Sequence, residues 1–235
     1  MKHLTAGLLG MSLMLQPTCP LARAAGKDKA ENRLKDCGAV LQEIVDVPDS
    51  IPKDLLDRAD CVVIYPSVVK AAFVIGGSYG RGAMTCKRGT HFTGAWSAPT
   101  LMALEGGSFG FQIGGQATDF VLLVMNERGA RGILAGKVKL GGDASISAGP
   151  VGRDASAETD VTLRSEILSY SRSRGLFVGI SLEGSTVRPD KKANEQLYGK
   201  HLGAKDIVLS GQVRVPAAAK QLVATLEVTP SHHKP

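Results

Sequence analysis

Side chains able to perform chemistry are scarce between Cys61 and Gly184, the central part of this 235-residue chain. The whole chain holds only five histidines and four cysteines, and it contains no Cys-x-x-Cys motif. Four cysteine or histidine ligands cannot be gathered plausibly for a zinc ion, and no two aspartates are spaced as a calcium-binding loop requires. These absences argue against an enzyme or a metalloprotein, and we expect no cofactor.

Phosphate-binding loops are also missing, since no glycine-rich loop of either known pattern opens a helix after a strand. Two segments do match G-x-S-x-G, the nucleophile elbow of α/β-hydrolases, at Ser78 and Ser108. That elbow needs a helix directly after the serine, but Phe109–Ile113 alternates as a strand does. Only His201 could plausibly serve Ser108 as a base. A hydrolase using Ser108 is therefore a minor alternative to glycines that form hairpin turns.

Long apolar runs are absent as well, and none could span a bilayer. The run Leu4–Leu15 follows a basic start and precedes Ala22-Arg23-Ala24, so residues 1–25 resemble a secretory signal peptide. The residues just before Cys19 do not suit a lipoprotein signal. We therefore predict an exported protein, periplasmic or secreted, that can associate peripherally with a membrane.

Cleavage after residue 25 would remove Lys2 and Arg23 and leave 26 basic and 22 acidic residues, a net charge of +4. This mild excess does not indicate nucleic acid, which usually needs a concentrated basic patch. It is compatible with attraction to an anionic surface. We predict one domain over residues 26–230 and a loose tail at 231–235.

Glycine, in contrast, is abundant, with 28 residues. Short apolar stretches alternate with clusters such as Gly76–Gly80 and Gly106–Gly110, a pattern typical of many short strands. Glycines within strands produce bends, bulges or close backbone contacts. The strands are predicted near residues 61–66, 71–77, 80–87, 98–104, 107–114, 118–125, 137–148, 158–170 and 175–183.

Helices are predicted before, between and after these strands. They comprise an amphipathic helix to about Val45, a short helix from Pro52 to Arg58, one capped by Asn126, one from Asp190 to Gly199, and one over Ala217–Leu226. Because helices do not alternate regularly with strands, a βαβ series is excluded. The predicted fold is mostly β (α+β): an antiparallel glycine-rich sheet closed or folded on itself as a barrel or sandwich, with flanking N- and C-terminal helices.

Three cysteines would remain after cleavage, which allows at most one internal bridge. Cys61 opens one predicted strand and Cys86 lies near the end of another, so a disulfide between them is possible if the strands are neighbours. Cys37 lies on the apolar face of the first helix, where we expect a buried thiol.

Basic residues are the most informative charged groups. Lys29, Arg33 and Lys35 lie on the first helix beside an apolar face that includes Leu34 and Leu41. We expect the basic side chains to be solvated. Such a helix can lie on an anionic membrane, but it can equally cover the core. Further candidates lie on predicted strands: Lys137, Lys139, Arg164 and Arg172.

Several ordered segments together resemble the SYLF domain, over about Glu31 to Glu227. They are Ala59–Val68, Gly76–Gly82, Trp96–Pro99, Gly106–Gly115, Asp119–Asn126, Gly141–Ala144, Ala148–Arg153 and Ser171–Gly184. The resemblance implies a lipid-binding module without established catalytic residues. Eukaryotic members bind phosphoinositides through a basic amphipathic segment at the start of the domain, and the fungal member also binds and bundles actin filaments.

By position, that lipid-contacting segment corresponds here to Lys29, Arg33, Leu34, Lys35 and Leu41. Acidic residues interrupt it, and export would keep the chain away from cytoplasmic phosphoinositides and actin, so actin is not an expected partner. The leading hypothesis is a non-enzymatic module of the cell envelope that binds anionic phospholipid. The alternative is a structural or interaction module that engages another envelope protein.

Overall fold

The computed structural model describes residues 20–47, 50–72, 75–109, 117–151, 165–173 and 176–228. The helices are α1 (Pro20–Asp46), α2 (Lys53–Arg58), α3 (Glu127–Ala135), α4 (Lys191–Tyr198), α5 (Ala204–Leu209) and α6 (Lys220–Val228), with a 3-10 turn at Ala217–Ala219. The strands are β1 (Cys61–Ala72), β2 (Ile75–Cys86), β3 (Thr100–Phe109), β4 (Ala117–Val124), β5 (Val138–Lys139), β6 (Ile146–Ala148), β7 (Ile167–Ser173), β8 (Leu176–Gly179) and β9 (Thr186–Pro189).

All of these strands belong to one curled sheet, a half-barrel with helices at the two ends of the chain. The strand order is β5-β9-β3-β2-β1-β4-β7-β6, and β8 pairs with the second half of β7, on the same edge of β7 as β6. This confirms the predicted mostly β fold with flanking helices. The sheet is mixed, however, because β6 runs parallel to β7 while the other pairs are antiparallel.

Residues 76–80 and 106–109 of the glycine clusters lie inside strands, and the prediction of hairpin turns at these positions was wrong. β1 and β2 are each 12 residues long, and residues 76–80 of β2 pair with β3, where Gly77 stands opposite Gly107. At position 82 the structure explains why the strand contains glycine, since an added Cβ would lie 1.8 Å from the carbonyl oxygen of Ile64. The backbones of β1 and β2 therefore approach too closely for a side chain at this position.

A bulge in β1 lies beside this close approach. The register between β1 and β2 shifts between Ile64 and Val69, and Ser67 within the bulge has a φ of 51°. Its backbone N–H donates to the Asp119 carboxylate on β4 at 2.8 Å. Bulges increase the local twist of a sheet, so the bulge in β1 is consistent with the curled form of this sheet.

Apolar side chains cover both faces of the sheet. One face packs against α1, α2, α4 and α6, with buried residues such as Ile64, Ala83 and Leu101 from the sheet. We call this the helix face. The opposite face packs against α3 and α5 and includes Met84 and Leu122. The described part of the chain contains no helix long and apolar enough to cross a membrane.

Helix α1 extends further than the sequence indicated, since it begins at Pro20 and includes the polar lead at residues 26–30. Lys27 and Glu31 form an i, i+4 ion pair there, with 3.7 Å between Nζ and Oε1. Gly26 lies directly against Gln196 of α4, so packing supports this first part of the helix. The predicted apolar face of α1 is fully buried, at Leu34, Cys37, Leu41 and Ile44.

The predicted caps of two later helices are present. The Asn126 side chain accepts from the Gly129 N–H at the start of α3, and that of Asp190 accepts from the Ala193 N–H at the start of α4. Gly199 ends α4 with a φ of 73°, which favours glycine. The six-residue helix α5 was not predicted, because its apolar pattern is too short to be distinctive.

A disulfide joins Cys61 and Cys86, which are directly paired residues of β1 and β2 with Cα atoms 3.9 Å apart. Cys37 is a free, buried thiol whose Sγ donates to the Ile64 carbonyl oxygen at 3.5 Å. Burial raises the pKa of this thiol well above its usual value. Cys37 is therefore a packed core residue.

We expect the double variant Cys61→Ala/Cys86→Ala to lose unfolding free energy. The bridge closes a loop across a sequence separation of 25 residues, and closing such a loop restricts the unfolded chain by about 3 kcal/mol. Denaturant unfolding of parent and variant, with and without a thiol reductant, measures this loss. Reductant should lower the stability of the parent to that of the variant. A parent that does not respond to reductant would show that the bridge is absent or contributes nothing.

Candidate functional site

The serines of the two hydrolase-like motifs lie in a setting that does not suit a nucleophile. Ser78 and Ser108 are both inside extended strands, in β2 and β3, and neither stands at a turn from strand to helix. The Ser78 hydroxyl is 3.5 Å from the Gly106 carbonyl oxygen, and His201 pairs with Glu195 through Nε2 at 3.0 Å. Among the described residues, no cluster of three or more His, Cys, Asp or Glu side chains could hold a metal ion.

The two leucines proposed to insert into lipid are core residues. Leu34 and Leu41 are both 0% exposed and pack between α1 and the helix face of the sheet. Either leucine could contact a bilayer only if α1 detached from the sheet. Their role in lipid binding stays a prediction, and neither leucine is exposed on the folded α1.

The basic residues of α1 divide into two groups. Lys29 and Lys35 are exposed, as expected. The expectation of a solvated side chain is wrong for Arg33, because its side chain is only 10% exposed and its Nη1 is 3.1 Å from the Asp190 carboxylate at the start of α4. Arg33 thus attaches α1 to α4, and its removal would cost packing as well as charge.

Arg172, on β7, joins the sheet to the other end of α1. Its guanidinium contacts the Asp119 carboxylate on β4 at 2.7 Å and also pairs with Glu43 of α1. A guanidinium that already has two carboxylate partners is poorly available to a phosphate. Arg164 lies outside the described residues, so its position relative to Arg172 stays open.

Lys137 and Lys139, at the edge strand β5, are exposed. Lys139 pairs in register with Thr186 of β9, and Thr186 pairs with Glu105 of β3. Arg188, on the same face of β9, donates to Glu105 through Nε at 3.1 Å. This hydrogen bond lowers the pKa of Glu105, and Lys137 adds a smaller effect in the same direction. The two lysines therefore belong to the same charged surface as Arg188.

Lys139, Thr186 and Glu105 form a row of paired residues across the sheet, and this row continues into β2 and β1. Tyr79 stands opposite Glu105 on one side and Val69 on the other. Arg81, two residues along β2, donates from Nε to the Tyr79 hydroxyl at 2.7 Å, and its guanidinium lies 5.6 Å from the centre of the Tyr79 ring. We call these seven residues the basic sheet surface: Val69, Tyr79, Arg81, Glu105, Lys137, Lys139 and Arg188.

Sequence reasoning missed Tyr79, Arg81 and Arg188. Tyr79, Glu105 and Lys139 are far apart in the chain, and only the strand order brings them to one row. The motif Tyr79-Gly80-Arg81 did contain a signal, since alternate residues of a strand share a face. A turn at these glycines would not place Tyr79 and Arg81 on one strand face, so the predicted turn concealed the signal.

Comparison with known proteins identifies the family. Residues 105–229 match the sequence profile named Ysc84 and described as "Las17-binding protein actin regulator". The chain belongs to this family. It is the family of the SYLF domain that the sequence motifs indicated.

Curated members of the family are similar over most of this chain. Protein YSC84 of Saccharomyces cerevisiae is 38% identical over 180 residues, which cover 75% of this chain and 37% of the relative. The LAS seventeen-binding protein 3 of the same yeast is 35% identical over 188 residues, 79% of this chain and 40% of the relative. The SH3 domain-containing YSC84-like protein 1 of Xenopus laevis is 35% identical over 184 residues, 77% of this chain and 53% of the relative. The chain therefore spans about a third to a half of the length of these relatives.

The Ysc84 profile covers part of the basic sheet surface. Glu105, Lys137, Lys139 and Arg188 lie within the matched residues, whereas Val69, Tyr79 and Arg81 precede them. The family is described as an actin regulator and is not known as an enzyme.

Proposed function

We propose that this Ysc84-family domain binds anionic phospholipid surfaces in the cell envelope, without catalysing a reaction. The observation that carries the proposal is a group of exposed lysines on one side of the domain, with Lys137 and Lys139 beside Arg81 and Arg188. Only Glu105 opposes these four cations within the basic sheet surface. A basic residue near an anionic membrane contributes about 1 kcal/mol to binding.

Export through the segment at residues 1–25 is part of the proposal. The Cys61–Cys86 disulfide supports it, because disulfides persist mainly in oxidising compartments such as the periplasm or the extracellular space. In such a compartment the domain would contact the envelope membrane peripherally. Actin is a poor candidate partner there.

A protein partner is the second candidate, and the names of the relatives favour it. The matching profile is described as Las17-binding, and one yeast relative is named LAS seventeen-binding protein 3. If partner binding is the general property of the family, the domain described here would engage an envelope protein with the same sheet. Nucleic acid is not proposed, since the predicted mature chain has a net charge of only +4 and nucleic acid usually needs a concentrated basic patch.

The proposed function predicts salt-sensitive binding to anionic vesicles. Protein purified without residues 1–25 should co-sediment with vesicles that contain 30% phosphatidylglycerol at low salt, and not with pure phosphatidylcholine. Raising the ionic strength to 0.5 M should remove most of the binding, because exposed charges are screened within about 10 Å already at 0.1 M salt. Absence of binding at low salt would rule out the lipid proposal and leave the protein partner.

A further inference from the structure

We propose that the basic sheet surface is the part of the domain that docks on the bilayer, with its four cations at the phosphates and with Tyr79 and Val69 at the boundary of the acyl chains. The inference rests on the proposed function and adds the contact surface, the residues and the orientation. It also assigns α1 a different role, as a cover of the core that stays folded when the domain binds.

The first argument is the charge of this surface. Arg81, Arg188 and Lys139 lie on the helix face of β2, β9 and β5, and Lys137 directly precedes β5. Strand β3, which carries Glu105, runs between β2 and β9. Glu105 is the single carboxylate among them, and Arg188 holds it in an ion pair. Of two other nearby carboxylates, Asp190 is paired with Arg33, whereas Asp143 accepts a hydrogen bond from the Lys139 backbone N–H and keeps its negative charge. The net charge of the seven residues is therefore positive by three.

The second argument is the exposed apolar pair within this surface. Val69 is 55% exposed and Tyr79 is 44% exposed, although they are direct neighbours in register and could have been buried together. Tyrosine is enriched where a membrane meets water, because its ring is apolar and its hydroxyl is polar. Arg81 holds that hydroxyl through a hydrogen bond. An apolar pair bordered by cations fits an anionic bilayer better than a fully polar partner.

The third argument is accessibility. The helices cover this face at Ile64, Ala83 and Leu101. Glu105 and Tyr79 lie four residues further along β3 and β2, which is about 13 Å at the rise of a strand. A flat membrane could therefore approach the row of Glu105 and Tyr79 without displacing the helices that cover Ile64, Ala83 and Leu101.

Helix α1 is the competing contact, and its geometry is less suitable. Its exposed side carries Lys29 and Lys35 but also the exposed acids Asp28 and Asp36, so its charge is mixed. Presenting Leu34 to lipid would require α1 to leave the sheet and to lose the Arg33–Asp190 ion pair. The sheet surface needs no such rearrangement.

The test compares two triple variants that remove the same total charge. In the first, Arg81→Gln/Lys137→Gln/Lys139→Gln, the basic sheet surface loses three cations. We expect its affinity for phosphatidylglycerol vesicles at low salt to fall about a hundredfold, at about fivefold per basic residue. The matched control, Lys29→Gln/Lys35→Gln/Lys53→Gln, removes three exposed lysines from α1 and α2. It should bind within about threefold of the parent, as expected for long-range charge alone.

A further double variant, Val69→Ser/Tyr79→Ser, keeps all charges and removes the apolar pair. Its affinity should fall about tenfold, and this loss should persist when salt is raised, because burial of apolar area is not screened. If the parent binds but the two triple variants weaken equally, or if only the control weakens, the sheet surface is not the contact while the proposed lipid binding stands. If the parent binds no vesicles, both proposals fail.

Discussion

Gly82→Ala is expected to destabilise the domain by at least about 3 kcal/mol, the upper range for overpacked positions. An added Cβ would lie 1.8 Å from the Ile64 carbonyl oxygen and 2.7 Å from the Tyr65 ring. The carbonyl is part of the β1 backbone, so the clash can be relieved only if β1 and β2 separate. These strands form the centre of the sheet, and we expect poor expression or a large drop in the denaturant midpoint.

Gly77→Ala is the matched control in the same strand. The closest atom to a Cβ at this position is the Gly106 carbonyl oxygen at 3.7 Å, an ordinary contact distance. Its unfolding free energy should stay within about 0.5 kcal/mol of the parent, as for most exposed substitutions. Equal stabilities for the two glycine variants would mean that β1 and β2 do not approach as closely at Gly82 as described.

Leu34→Ala and Leu41→Ala should each cost about 2–5 kcal/mol of unfolding free energy, the usual range for a buried leucine truncated to alanine. Both side chains are fully buried between α1 and the sheet. Chemical denaturation of each variant measures the loss. The remaining folded protein should still bind anionic vesicles, because neither leucine reaches the surface.

Lys35→Ala, on the exposed side of the same helix, should change stability by less than about 0.5 kcal/mol. If Leu34→Ala keeps the stability of the parent but abolishes vesicle binding, then α1 inserts into the bilayer and the core assignment is wrong.

Patterns along the chain predicted the local elements well. The apolar spacing of Leu34, Cys37, Leu41 and Ile44 indicated one buried helix face, and Asn126 and Asp190 indicated two caps; the structure confirms these features. These signals are local, because a helix face or a cap depends on residues within about one turn.

Features that depend on distant residues could not be predicted. The glycines of residues 76–82 resemble a turn, and only the Ile64 carbonyl oxygen, 1.8 Å from where a Cβ at position 82 would lie, shows why glycine is needed within a long strand. Similarly, the burial of Arg33 depends on Asp190, which is 157 residues away. The basic sheet surface depends on strand order, which brings Lys139 of β5 and Tyr79 of β2 to the same row.

One measurement tests the central claim most directly: the depth of position 79 in a bound bilayer. The chain has a single tryptophan, Trp96, which is only 8% exposed and serves as an internal reference. In the variant Tyr79→Trp, the new indole should shift its emission to shorter wavelengths on phosphatidylglycerol vesicles and be quenched by lipids brominated on the acyl chains. The parent, with Trp96 alone, should show neither change. Vesicle binding without a shift or quenching at position 79 would contradict the claim that this surface meets the membrane.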